Sequence, residues 1–137
     1  MSWVIDHVRK IKKRHKTNCP FTIAKERGII VQYGPFGETL GFFQCNYRIK
    51  FININSSLSE EMQRFVCAHE LGHAVLHPDS NTPFLRKSTF YSIDKIEVEA
   101  NTFAAELLIP DNVDCETIYE AAVIYGVPKD LVHLKKF

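Results

Sequence analysis

No apolar run in this 137-residue sequence approaches the roughly 20 residues that a bilayer-spanning helix needs, which excludes a membrane helix. The apolar residues near the start are interrupted by charge, so no secretory signal is read and a cytoplasmic location is expected. Cysteine is sparse: Cys19, Cys45, Cys67 and Cys115 lack the paired spacing of a thiolate metal site. Without an export signal they read as reduced thiols, with Cys67 in the core. A formal net charge of +1 offers no global attraction to nucleic acid or to a membrane surface. Internal repeats and low-complexity tracts are absent as well, and the length suits one core and is too short for two ordinary domains.

Charge is instead distributed locally. Arg9, Lys10, Lys12, Lys13, Arg14 and Lys16 crowd the first predicted helix, where Val4, Ile5, Val8 and Ile11 recur at helical spacing. The expected arrangement is an apolar stripe on the core and a solvated basic back; contact with nucleic acid or an acidic partner is the alternative use of that back. Ile29–Tyr33, Leu40–Tyr47 and Lys50–Ile54 are rich in β-branched and aromatic residues, with Gly34-Pro35-Phe36-Gly37 punctuating the first pair, and predict a small antiparallel sheet. The third of these strands precedes the next helix directly and could serve as an edge for an extended peptide or simply cover the core.

The most informative stretch is His69-Glu70-Leu71-Gly72-His73, inside a predicted helix from about Leu58 to His77. With 6 histidines in 137 residues, an accidental His-Glu-x-x-His is expected on the order of 0.02 times, so chance is a poor account of it. Histidines at i and i+4 share a helical face, where both imidazoles can reach one Zn²⁺ at about 2.0–2.1 Å. They fall on the stripe of Leu58, Met62, Phe65 and Leu76, hence inside the protein. Glu70 projects beside them, where an acidified water needs a proton acceptor. The competing reading is a pair of hydrogen-bonded core histidines.

Three protein ligands are the rule for such a site. The predicted helix starting at Asp94, with Glu97 in its first turn, and stopped by Pro110 carries Glu97, Glu99 and Glu106. On a helical wheel Glu99 and Glu106 share the polar side with Lys95, whereas Glu97 falls among Ile96, Ala100, Ala104, Leu107 and Leu108. A carboxylate in that arc needs a cation, either the metal or a buried Arg or Lys. Asn101, one turn further, is placed to hydrogen-bond the outer nitrogen of a ligating histidine, or is an ordinary polar helix residue. Asp79 is a positional rival to Glu97, and His77 is expected in a supporting or surface role. Tyr91, Arg86 and His133 are the candidates for steadying an oxyanion, with no choice among them.

His69-Glu70-Leu71-Gly72-His73-Ala74-Val75-Leu76-His77, followed by Glu97-x-x-Ala100-Asn101-x-Phe103-Ala104-Ala105-Glu106-Leu107-Leu108-x-Pro110, closely resembles the ImmA/IrrE metallopeptidases, which have a minimal gluzincin-like core. The resemblance covers nearly the whole chain, including Pro20 to Gly28 and Ile29 to Tyr33 as the helix and strand that precede the site. It implies zinc held by His69, His73 and Glu97, with Glu70 as general base. It also implies cleavage of a helix-turn-helix repressor of a prophage, mobile element or stress response. Manganese or iron suits the same donors.

Taken together, the expectation is one α+β domain over residues 1–137, a small antiparallel sheet packed on a helical metallopeptidase core. Residues 110–137, with Gly126 at a turn, form a closing helical hairpin; half of a DNA-binding helix-turn-helix is the less economical reading, because only Lys129, Lys135 and Lys136 follow as cations. The expected function is a zinc-dependent endopeptidase acting on a protein partner. Its rival is a non-catalytic module in which a metal staples two helices and the protein holds a regulator or toxin. An intact Glu70 favours catalysis, since a structural zinc site needs no base and closes its fourth position.

Overall fold

Local chemistry accounts for the element boundaries of the computed structural model, which describes residues 1–79, 84–85, 94–112 and 117–136. Helix α1 (Ser2–His15) buries Val4, Val8 and Ile11 and leaves Arg9, Lys10, Lys13 and Arg14 in solvent, as its periodicity predicts. Pro20 opens α2 (Pro20–Glu26), where a missing N–H costs nothing. Gly28 closes it with φ 75°, allowing Ile29 N–H to reach Ala24 O at 2.9 Å and Gly28 N–H to reach Lys25 O at 3.0 Å. Both orphan carbonyls are thereby satisfied, and the chain leaves directly into a strand.

Strands β1 (Ile30–Gly34), β2 (Thr39–Asn46), β3 (Ile49–Asn55) and β4 (Phe84–Leu85) form one sheet in the order β1-β3-β2-β4. The α+β class is as expected, but the sheet is mixed and not wholly antiparallel. β2 runs antiparallel to β3 and β4, while β1 pairs parallel with β3, Ile30 opposite Phe51 and Gly34 opposite Asn55. The turn after β1 therefore carries the chain past the place that β3 later fills. β3 is consequently an interior strand, which removes it as an edge for a peptide. Ile52, Asn53, Ile54 and Asn55 are all buried, so both faces of this stretch are covered.

The buried asparagines of β3 are hydrogen-bonded, Asn53 Nδ2 donating to Gln44 Oε1 at 3.1 Å. Asn55 Nδ2 donates to Gly37 O at 2.9 Å and Thr39 O at 3.0 Å, while its Oδ1 accepts from Ser57 N–H and Oγ at 3.0 and 2.8 Å. One side chain thus ties the start of β2 to the turn entering the next helix. That helix, α3 (Glu60–Leu76), begins with Ser59 Oγ accepting from Met62 N–H at 3.2 Å and with Glu60 and Glu61 at its positive end. From Phe65 to Ala74 every residue is buried, because β2 and β3 lie on one side of the helix and α2 and α4 on others.

Helix α4 (Lys95–Leu108) starts where the Asp94 carboxylate accepts from Ile96 N–H at 3.1 Å. It is buried over more of its circumference than the wheel predicts. Glu99 and Glu106, expected on a polar face, are buried: Glu106 lies under the C-terminal segment, held by Lys135 Nζ at 2.9 Å and by Lys136 N–H at 2.6 Å. The final elements are α5 (Ile118–Tyr125), a left-handed Gly126 with φ 72°, and a 3₁₀ helix Lys129–Leu134. Leu131 and Val132 anchor the 3₁₀ helix, which packs on α4 and α5. No described helix is long and apolar enough to cross a membrane.

Candidate active site

Two close approaches set the geometry of the site. Gly41 of β2 lies over α3 so tightly that a methyl group there would come within 2.5 Å of Val66 Cγ1 and 2.7 Å of Asn53 O, with Glu70 Cγ at 3.7 Å. On the opposite side Gly72 meets Phe103 of α4, where an added Cβ would lie 3.1 Å from that ring. Small residues on both faces thus let the strand and the second helix close on the turn that holds His69, Glu70 and His73.

The three expected donors converge. His69 Nε2 is 3.2 Å from Glu97 Oε2, His73 Nε2 is 2.9 Å from Glu97 Oε1, and the two Nε2 atoms are 3.1 Å apart. All three side chains are buried, and they form the group of metal-competent donors found among the described residues. Asn101 stands behind His69, with Oδ1 2.8 Å from Nδ1. An amide oxygen only accepts, so His69 carries its proton on Nδ1 and turns the Nε2 lone pair toward His73 and Glu97. Glu70 lies on the same turn, Oε2 3.9 Å from His69 Nε2.

Electrostatics give each group a distinct state. Burial drives the His69 imidazole below its ordinary value, keeping it neutral. Burial alone would raise Glu97, but the proton-bearing forms of the His69 and His73 rings that face it favour its anion strongly enough to hold the carboxyl down to about 2, and a cation in the same place would do what that proton does. Neutral imidazole and ionised carboxylate are the forms that ligate metal. Glu70 is pushed the other way, well above its ordinary value, first by burial and then by the Glu97 carboxylate.

Unsatisfied atoms indicate what this arrangement fits. Among the described residues neither Glu70 oxygen has a hydrogen-bond partner, and Glu97 Oε1 faces His73 without hydrogen-bonding geometry. Buried carboxylates without donors are costly. Two ligands at about 2.05 Å on a tetrahedral ion stand about 3.3 Å apart, close to the separation of the two Nε2 atoms. The donor set therefore fits a divalent metal ion, which would relieve the facing lone pairs and the unpaired carboxylates together.

The remaining sequence candidates separate from this cluster. Asp79 is exposed and outside the donor group, and His133 is exposed on the 3₁₀ helix. Tyr91 and Arg86 lie outside the described residues, as does Cys115; Cys67 is buried as expected. His77 is not a surface residue. Its Nδ1 is 3.0 Å from His73 Nδ1 and its Nε2 is 2.8 Å from Glu99 Oε1. Sequence reading missed Glu99, because a helical wheel cannot distinguish a polar face in solvent from one covered by another helix.

A buried helix bearing His-Glu-x-x-His, met by a glutamate from the next helix beneath a small mixed sheet, is the build of a metallopeptidase. The chain belongs to the IrrE N-terminal-like domain family of peptidases, Peptidase M78, whose profile matches residues 24–113. It is 45% identical to the uncharacterized immunity region protein 2 of Bacillus phage phi105, covering 93% of this chain and 85% of that protein. It is 33% identical to the metallopeptidase ImmA of Bacillus subtilis, covering 77% of this chain and 63% of ImmA. The radiation response metalloprotease IrrE of Deinococcus radiodurans is also 33% identical, over 66% of this chain but only 28% of IrrE.

Proposed function

We propose that the protein is a zinc-dependent endopeptidase that cuts a protein partner, with His69, His73 and Glu97 holding the ion and Glu70 acting as general base. The observation that carries this reading is the meeting of two lone-pair-bearing Nε2 atoms and the Glu97 carboxylate within 2.9–3.2 Å, beside a carboxylate with no donor of its own. When bound, a divalent ion there supplies Lewis acidity, acidifying water and polarising a peptide carbonyl.

The side chains divide the remaining work. Glu97 brings negative charge to the donor set, so the site's net charge suits a dication. Asn101 fixes the His69 ring through Nδ1 and keeps Nε2 free to bind. Glu70 takes a proton from the attacking water on a carboxylate oxygen and returns it to the leaving amide nitrogen. Its raised affinity for protons when metal-free suits that exchange, since a bound cation would lower it again. The walls formed by β2, α3 and α4 exclude bulk water from Glu70, which is fully buried.

The substrate we infer is a helix-turn-helix repressor in the cytoplasm. The likeness to a phage immunity-region protein and to ImmA supports this, together with the resemblance in the sequence itself. The direct test incubates purified protein with the transcriptional regulator encoded beside its gene, with and without chelator. The expected result is metal-dependent cleavage that Glu70→Gln abolishes while metal content is kept. Regulator that is held but never cut under zinc, manganese or iron would replace the peptidase with a metal-stapled binding module.

A further inference from the structure

The His73 ring is not held by an amide as His69 is, yet it must present the same nitrogen. We infer that His77 and Glu99 are positioning residues that set the tautomer of His73 through a two-link hydrogen-bond chain; this rests on the metal reading given under the proposed function. The chain runs Glu99 Oε1 to His77 Nε2 at 2.8 Å, then His77 Nδ1 to His73 Nδ1 at 3.0 Å, ending at His73 Nε2 among the metal donors.

Donor and acceptor roles follow from one end. An ionised carboxylate only accepts, so Glu99 takes the proton on His77 Nε2. A neutral His77 then has a lone pair on Nδ1, and that lone pair accepts from His73 Nδ1–H. His73 is left with an unprotonated Nε2 aimed at His69 Nε2 and Glu97. The opposite order would place a proton on His73 Nε2, between the donors, where it blocks coordination. All members of the chain are largely shielded: the side-chain exposures of His77 and Glu99 are 9% and 5%. Water therefore competes poorly for these bonds.

The two helices supply the chain in a way that couples them. His77 is the C-cap of α3, past the last turn, with φ −134° and its own N–H bonded to His73 O at 2.7 Å. The helix thus ends in time to let the ring swing toward α4, where Glu99 stands two residues beyond Glu97. One helix end thereby orients a ligand on its own last turn by using a carboxylate from the helix that supplies the third ligand. Asn101 performs the shorter version of the same task for His69.

The test uses the full chain with ¹⁵N-labelled histidine, loaded with Zn²⁺. Long-range ¹H–¹⁵N correlation spectra of the wild type should show His77 protonated at Nε2 and His73 protonated at Nδ1. His73 found protonated at Nε2, or His77 at Nδ1, overturns the chain. In parallel, Co²⁺ affinity is measured by chelator competition for the wild type, His77→Leu and His77→Asn. Leucine removes the acceptor at similar bulk and should weaken binding about 10–100-fold. Asparagine places an amide oxygen near the former Nδ1 and should recover most of that loss, which a purely space-filling role would not produce. Equal affinity in wild type and His77→Leu, or no recovery by asparagine, overturns the inference. If His77→Leu fails to fold, the wild-type spectra decide by themselves. Absence of Co²⁺ binding by the wild type overturns the metal reading itself, and the inference with it.

Discussion

Glu70 is the residue whose charge depends most on what stands beside it. Fully buried, without a donor and facing the Glu97 carboxylate, it holds its proton well above its ordinary value of 4.5. In the unfolded chain it ionises above that value, whereas in the folded metal-free protein burial and the Glu97 carboxylate defer its ionisation to higher pH. Folding is then opposed by a growing amount as pH rises. Chelated Glu70→Gln should therefore gain stability relative to chelated wild type between pH 5 and pH 8, measured by urea unfolding at each pH. A gap that is flat with pH would mean that Glu70 is already ionised without a cation. Added Zn²⁺ should stabilise the wild type by RT ln(1 + [Zn²⁺]/Kd), about 2.7 kcal/mol at one hundred times Kd.

At the scale of elements, the site is built by close approach rather than by any one helix. Gly41 allows β2 to lie directly on α3, with Val66 Cγ1 and Asn53 O inside the space of a methyl group. Gly41→Ala cannot be absorbed by one flexible side chain, because Asn53 O belongs to the neighbouring strand's backbone. The expected cost is about 1–3 kcal/mol, from overpacking, together with loss of peptidase activity as Glu70 shifts. A urea midpoint unchanged by that substitution would contradict the packing described. The two helices that carry the donors were legible in sequence: the stretch expected from about Leu58 to His77 is α3 (Glu60–Leu76), and Asp94 and Pro110 bracket α4. The sheet order was not. Three strand-like segments are compatible with a simple meander, and only the tertiary pairing of β3 with β1 on one edge and β2 on the other makes it the interior strand.

Across the whole molecule, the C-terminal segment is tied back onto the helix that carries Glu97. Lys135 Nζ is buried between Glu106 and Asp111, and Lys12 of α1 donates to Glu106 O at 2.9 Å. α1, α4 and the C-terminal segment therefore meet at one residue, α1 on the Glu106 backbone carbonyl and the C-terminal segment on its carboxylate. Lys135→Met leaves Glu106 buried without its counter-ion and should cost about 3–5 kcal/mol, read as a drop in urea midpoint. Lys135→Met with Glu106→Gln should recover part of that loss, since the remaining group carries no charge. Equal stability of Lys135→Met and wild type would show that the C-terminal segment contributes little to holding α4.

The sequence by itself determined the candidate donor set. His69 and His73 lie one turn apart on a helix, and Glu97 falls in an apolar arc, facts that follow from a period of 3.6 residues and need no coordinates. It also determined the core face of α1 and the approximate extent of the two helices that carry these donors, because caps and periodicity are local. Tertiary structure alone decided which polar faces are wet. Glu99 and Glu106 share a side that the wheel assigns to solvent, but His77 covers the first and the C-terminal segment covers the second. A wheel records direction around one axis, whereas burial depends on what other parts of the chain bring to that direction.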